Sequence, residues 1–237
     1  MHKLFVSPED IIENTVTVSG ADVEHLHALR VREGDKMAIS DGVGICYDAT
    51  VTEVRKNSVS FSLTDGHPFE NEPKIDITVY CALLKGGSNE DVIKQAVELG
   101  ANKIVFFSSS NCIAEKREKS EKYAKTARQA AMQSGRDRIP EVVGGVSFNE
   151  MIEGLRAADV SAFFHEKAEN PFYDVVSSKK DPRSAAFAVG PEGGFTDKEA
   201  DIAIENGIPV VSLGKRILRA VTAPLCALSV LSCVYDR

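Results

Sequence analysis

Long apolar runs are missing from this sequence. No segment approaches the roughly 18 apolar residues that suggest a membrane-crossing helix, so no membrane-crossing helix is expected. The first residues, Met1-His2-Lys3-Leu4-Phe5-Val6-Ser7-Pro8, lack the apolar core of a secretory signal, which predicts a cytoplasmic location. Cysteine is sparse and unpatterned. Cys46, Cys81, Cys112, Cys226 and Cys233 are odd in number, widely spread and form no C-x-x-C pair. That argues against a disulfide framework and against a zinc site. The expectation is five buried or incidental thiols and no bound metal. Positive charge is also short: 28 Lys and Arg against 35 Asp and Glu leave a net charge of −7. Such a chain does not coat nucleic acid indiscriminately, although a local basic surface remains open to it. The rest is ordinary for a globular protein: 237 residues, 43% hydrophobic and 27% charged. That length suits one large domain, or a small one and a larger one.

The two halves follow different periodicities. Residues 1–70 read as short strands: Val16–Val18, Met37–Ser40 running into the turn signal Asp41-Gly42, Tyr47–Val54, and Val59–Leu63 after the turn Asn57-Ser58. A short helix is predicted at Asp22–Leu29. This pattern predicts a small β-barrel. His67–Pro73, with two prolines, suits an exposed linker. From 74 to 237 apolar strands alternate with amphipathic helices. Strands are predicted at Ile75–Leu84, Ile104–Phe107, Val160–Phe164, Ala185–Val189 and Pro209–Ser212. Helices are predicted at Glu90–Leu99, Arg117–Ser134, Thr196–Asn206 and from Thr222 onward. That alternation implies an α/β domain with a mainly parallel sheet.

The most informative stretch is Ala188-Val189-Gly190-Pro191-Glu192-Gly193-Gly194-Phe195-Thr196. An apolar strand runs into three glycines and a proline. Thr196 then caps a helix, with Glu199 three residues on to complete a capping box. Glycines at such a turn let a ligand approach the backbone; a tight turn with no ligand is the plain alternative. No G-K-[ST] follows, so this is not a Walker loop, and it lacks the spacing G-x-G-x-x-G. A second glycine turn, Ser212-Leu213-Gly214-Lys215-Arg216-Ile217-Leu218-Arg219, follows the next strand. Two such loops at the ends of successive strands would wall one pocket at the sheet's C-terminal edge.

Together these segments resemble the RsmE family of ribosomal RNA methyltransferases. The resemblance rests on G-P-E-G-G-F at 190–195, S-L-G-x-R-I-L-R at 212–219 and T-A at 222–223. Upstream it is carried by His25-Leu26, Leu29-Arg30-Val31-Arg32 and Gly34-Asp35, by Leu84-Lys85-Gly86 and Glu98-Leu99-Gly100, and by Gln133-Ser134-Gly135-Arg136 with Ile139-Pro140. It covers nearly the whole chain in order. It implies an N-terminal PUA-like β-barrel (1–70) that binds RNA, and a C-terminal SPOUT methyltransferase domain (74–237) with a trefoil knot. S-adenosyl-L-methionine would be the methyl donor, N3 of a uridine in 16S ribosomal RNA of the small subunit the acceptor, and a homodimer the working form. The chain departs from the family pattern in three places. Val221 stands where the family carries Glu, Met132 stands where it carries Glu before the loop glutamine, and residues 1–70 hold 6 Lys and Arg against 12 Asp and Glu.

On this reading Val189, Gly190, Gly193, Leu213, Gly214, Ile217 and Leu218 hold the cofactor; as core and turn residues they would need no ligand. Arg219 is expected to stabilise charge developing on the base, and Glu192 is a candidate general base. His165 and Glu166, just after a strand, are weaker candidates. Residues 111–140 gather eight cations (Lys116, Arg117, Lys119, Lys122, Lys125, Arg128, Arg136, Arg138) against four acidic groups. Arg128, Gln133, Arg136 and Arg138, with Arg30 and Arg32 of the barrel, are expected to contact RNA. Lys116–Lys122 suits a solvated helix face. The helix from Pro224 to Tyr235, apolar on nearly every side, belongs in a dimer interface or in the core. Two rival functions stay open: another SPOUT RNA methyltransferase, acting on a ribose 2′-O or a different base, and a non-catalytic paralogue that only binds the cofactor or RNA.

Overall fold

The computed structural model describes residues 3–113 and 120–236. The sequence's Lys116, Arg117 and Lys119 lie outside them. The chain forms two compact units. One runs to Glu72 and also takes in Ala131–Ile139; the other holds Pro73–Ala130 and Pro140–Arg237.

The first unit is a curled six-stranded sheet in the order β1-β3-β4-β5-β2, with β6 against β4. Its elements are β1 (Lys3–Phe5), β2 (Thr15–Ser19), helix α1 (Ala21–Ala28), β3 (Lys36–Ser40), β4 (Ile45–Val54), β5 (Ser58–Leu63) and β6 (His67–Pro68). Val59, Phe61 and Leu63 alternate inward along β5, the period-2 pattern visible in the sequence. The Asp41-Gly42 turn is held by Asp41 Oδ1, which accepts from the backbone N–H of Val43, Gly44 and Ile45, each at 2.9 Å. Gly42 supplies the positive φ of 73° that the turn requires.

Ala131–Ile139 joins this unit through buried ion pairs. Arg136, only 4% exposed, forms a fork with Glu72: Nε donates to Oε1 at 2.9 Å and Nη2 to Oε2 at 2.5 Å. Asp137, 1% exposed, takes the Lys3 ammonium and the backbone N–H groups of Glu70 and Asn71. Burial pushes its carboxyl up, but these hydrogen bonds more than offset that and hold it below the ordinary carboxylate value. The nearby Cys46 thiol is pushed up to about 11 by burial and by Asp137, which makes it an unreactive core thiol.

The second unit is a parallel six-stranded sheet in the order β12-β10-β11-β7-β8-β9. Its strands are β7 (Asp76–Ala82), β8 (Lys103–Phe107), β9 (Glu141–Val146), β10 (Val160–Phe164), β11 (Ser184–Val189) and β12 (Val210–Val211). Its helices are α2 (Ser88–Glu98), α3 (Ser120–Ser134), whose last turn belongs to the first unit, α4 (Phe148–Ala157), α5 (Phe172–Ser177), α6 (Asp197–Glu205) and α7 (Ala223–Tyr235). The central strands are continuous apolar runs because helices cover both faces: Ala185–Val189 and Ala162–Phe164 are all buried. Cys81, near the C-terminal end of β7 and fully buried, has its thiol pushed up to about 12 by burial. Among the described residues no helix is long and apolar enough to cross a membrane.

Candidate active site at the C-terminal edge of the parallel sheet

Strands β10, β11 and β7 are neighbours in the sheet, and β12 lies beside β10. The loops leaving their C-terminal ends therefore meet over one edge. They enclose a cavity of about 560 Å³, within the roughly 300–1,000 Å³ typical of small-molecule sites. Leu84 and Ser88 come from the segment after β7, His165 and Glu166 from the loop after β10, Gly190, Pro191, Glu192, Gly194 and Phe195 from the loop after β11 and residues 212–221 from the loop after β12.

The loop after β11 is rigid. Phe195 plugs the core beneath it, stacked on Phe163 at 4.1 Å between ring centroids. Thr196 and Glu199 form the expected capping box: Thr196 Oγ1 accepts from the Glu199 N–H at 3.3 Å, and Glu199 Oε2 accepts from the Thr196 N–H at 2.8 Å. The other oxygen of the buried Glu199 accepts from the Ser110 N–H at 2.9 Å. Asn111 Nδ2 donates to the carbonyls of Gly193 and Gly194 at 3.2 and 3.1 Å. The loop after β12 is clamped at its base. Gly214, at φ 111°, donates its N–H to Ser212 Oγ at 3.0 Å, and the Arg219 carbonyl accepts from the N–H groups of Thr222 and Ala223.

Of the residues expected to hold a cofactor, Val189, Gly190, Leu213, Gly214, Ile217 and Leu218 line the cavity, as do Glu192 and Arg219. Gly193 does not; its carbonyl is turned to Asn111. Gly190 is tightly placed even without a ligand. A Cβ there would sit 3.1 Å from the Phe195 backbone N and 3.2 Å from the Gly194 carbonyl carbon, so the protein's own turn would have to give to admit a side chain, a second reason for glycine beside ligand approach. Ile217 is 85% exposed and walls the cavity only at its rim. Glu192 Oε1 accepts from the Lys85 N–H at 3.0 Å, tying two loops together.

The sequence's RNA candidates divide. Arg30, Arg32, Gln133 and Arg138 are exposed, and Arg128 is half-buried. Arg136 is buried in its fork with Glu72, so its guanidinium is spent inside the first unit rather than offered to phosphate. Lys122 pairs with Glu90 at 2.5 Å, which raises the lysine's pKa and agrees with a helix-face role.

His165 and Glu166 gain weight from the structure. The imidazole is 8% exposed and lines the cavity. Its Nδ1 accepts from the Lys167 N–H at 3.3 Å, and its Nε2 lies 3.7 Å from Asp197 Oδ1. The Lys167 ammonium, bonded to both Asp197 oxygens at 2.7 and 2.8 Å, holds that carboxyl below its ordinary value. With Nδ1 held by the Lys167 N–H, the His165 ring is fixed in the cavity wall. The fourth contributor, Ser88, carries no motif in the sequence; only strand order brings it in.

Comparison with known proteins agrees with this architecture. A family model described as RNA methyltransferase domain matches residues 70–232, and one described as RNA methyltransferase PUA domain matches residues 18–64. The two matches define an RNA methyltransferase with an attached PUA domain. The particular family follows from full-length likeness, and the chain belongs to the ribosomal RNA small subunit methyltransferase E family. It is 32% identical over 239 residues to the Synechocystis protein of that name, covering 99% of this chain and 78% of that one. It is 29% identical to the Bacillus subtilis protein of the same name, covering 92% and 90%. The crystal structure of the Neisseria gonorrhoeae ribosomal RNA small subunit methyltransferase E bound to S-adenosyl methionine superposes with a TM-score of 0.88 at 26% identity, covering 99% of this chain and 98% of that one.

Proposed function

We propose that this chain transfers a methyl group from S-adenosylmethionine to N3 of a uridine in 16S ribosomal RNA, within the small subunit. One observation carries the reading: both glycine loops named by the sequence converge, with two more strand-end loops, on one cavity at the C-terminal edge of the parallel sheet. The cavity suits the cofactor. Val189, Leu213 and Leu218 offer apolar walls for an adenine, and the clamped backbone at Gly214 brings polar groups close. The carboxylates of Glu166 and Glu192 suit the cofactor's hydroxyls and positive charge. When bound, S-adenosylmethionine supplies an electrophilic methyl group on sulfur.

The protein's part is to hold the base, accept its N3 proton and stabilise the charge that spreads onto the flanking oxygens. Arg219, exposed at the cavity wall, is the donor to those oxygens. Glu192 takes the proton; its Oε1 is fixed by Lys85, which orients the carboxylate. Arg30, Arg32, Gln133 and Arg138 of the first unit bind RNA backbone. The segment from β10 to α7 threads the trefoil knot, the protein works as a homodimer through α7, and its place is the cytoplasm with the ribosome.

The test is transfer of tritiated methyl from S-adenosylmethionine to 30S particles and to naked ribosomal RNA from a strain lacking the protein, with the modified nucleotide mapped by mass spectrometry. Label in N3-methyluridine supports the reading. A 2′-O-methyl product, or cofactor binding without transfer, would replace it with one of its rivals.

A further inference from the structure

We infer that the loop after β12 is an RNA-gripping finger, in which Ile217 packs against an unstacked base beside the target while Lys215 and Arg216 hold the flanking phosphates. This rests on the proposed RNA methyltransferase reading and names how that site would grasp its substrate.

The first observation is exposure. Ile217 is 85% exposed, the largest value among the exposed large hydrophobic side chains of the described residues. Exposure of a single isoleucine means little alone; its place on the rim of the cavity, uncovered by the described residues, lets it meet a substrate that reaches that rim. The second is rigidity beneath it. Ser212 Oγ donates to the Gly214 carbonyl at 3.1 Å and accepts from the Gly214 N–H at 3.0 Å. At the other end the Arg219 carbonyl accepts from Thr222 at 2.8 Å and Ala223 at 3.0 Å. The tip therefore stands on two fixed feet, and presenting it costs little additional ordering. The third is charge. Residues 206–235 contain Lys215, Arg216 and Arg219 and no Asp or Glu, in a chain whose net charge is −7. Lys215, Arg216 and Arg219 are exposed and make no ion pair with any described residue. Cations unpaired among the described residues, on a clamped loop of an otherwise acidic protein, suit phosphate.

The chemistry of the trio fits unpaired RNA. Apolar side chains act as wedges beside a base step, and splayed bases are how proteins recognise single-stranded RNA. Phosphate contacts from Lys and Arg fix register without reading sequence. N3 of a paired uridine is occupied by its partner base, so the target must be exposed before transfer. A wedge next to the cofactor pocket would hold it so.

The experiment uses the full-length protein, an rRNA fragment carrying 2-aminopurine next to the target uridine, and the variants Ile217→Ser and Lys215→Ala/Arg216→Ala. The altered side chains are exposed, and unchanged thermal melting confirms the fold. Wild type should raise 2-aminopurine fluorescence on binding. Ile217→Ser should lose most of that rise and slow single-turnover transfer about tenfold with both RNA and S-adenosylmethionine saturating. The double variant should flatten the dependence of log K on log salt by roughly 0.7 per lost phosphate contact. The inference is overturned if Ile217→Ser loses cofactor affinity while RNA behaviour is unchanged, which would make the residue a cofactor wall. It is equally overturned if both variants match wild type in fluorescence and salt slope. A wild-type protein that methylates no rRNA fragment or particle sinks the underlying functional reading instead, and the finger with it.

Discussion

At the scale of single residues, chemistry and geometry can be separated by experiment. Arg219 lies on the cavity wall with its side chain exposed and unpaired among the described residues. If it donates to charge that appears only during transfer, Arg219→Ala should lower the single-turnover rate at saturating RNA by roughly 10²-fold. Cofactor affinity, read by calorimetry, should hold. A normal rate at saturation would make Arg219 a binding residue only. Asp137 makes the opposite kind of prediction. Its carboxyl is held below its ordinary value, so its contribution is complete above the usual carboxylate range and is lost as pH falls through the depressed folded value. Asp137→Asn leaves the Lys3 ammonium buried without its charge partner and should cost on the order of 3 kcal/mol near neutral pH. Denaturant titrations should show the gap between variant and wild type narrowing below about pH 4; a gap independent of pH would mean that the charge is not what matters. The sequence shows Arg136 and Asp137 as a basic loop with one acid. It does not show that Glu72 and Lys3 wait for them across more than sixty and more than a hundred residues. Burial of a charge depends on a partner distant in the chain, and local pattern carries no record of it.

At the scale of elements, legibility follows how strongly a segment's own residues decide its form. Val160–Phe164 is a strand in the structure with the bounds the sequence suggests, because an apolar run of β-formers between polar ends has no better use. The capping box at Thr196 and Glu199 was equally plain. The same signal, Ser147 with Glu150, opens α4. β9 was obscured by its two glycines, Gly144 and Gly145, which weaken strand propensity and are tolerated because β9 is an edge strand. The short helix α5, six residues long, has too few turns to show a period. Gly190 gives the element-scale prediction. A side chain there crowds the Phe195 backbone, the Cβ coming within 3.1 Å of its N, so Gly190→Val should lower the melting temperature as well as weaken cofactor binding. Unchanged melting with lost binding would return Gly190 to the role of a ligand cradle. The two glycine loops were thus visible as loops. Their convergence on one pocket was legible too; what was not is that β10 lies between β11 and β12 and adds its own loop to the wall.

At the scale of the whole molecule, the open question is assembly, and α7 decides how to ask it. Its all-apolar sequence left core and interface as alternatives. The structure sends Ala223, Pro224, Ala227, Leu228 and Leu231 inward, Leu231 being 1% exposed. Aspartate at Leu231 would therefore bury an unpaired charge and unfold the unit, and so cannot report on a dimer. The outward face carries Leu225, Cys226, Ser229 and Ser232, partly exposed and mostly small. Small residues let two helices approach closely, so a symmetric pairing through this face is the natural one for a homodimer. Ser229, exposed, with its hydroxyl donating to the Leu225 carbonyl at 2.8 Å, sits at the centre of that face. Arginine there changes nothing in the core but holds two helices apart. Light scattering at micromolar concentration should give about twice 25.7 kDa for wild type and a monomer for Ser229→Arg, with thermal melting read alongside. Ala223, in the first turn of α7, also lines the cavity. Separation of the subunits should therefore loosen that wall and weaken S-adenosylmethionine binding together with the loss of mass. A wild-type monomer would remove α7 as an interface. A Ser229→Arg monomer with full cofactor affinity would show that each cavity is complete within one chain, and that pairing serves RNA rather than the methyl donor.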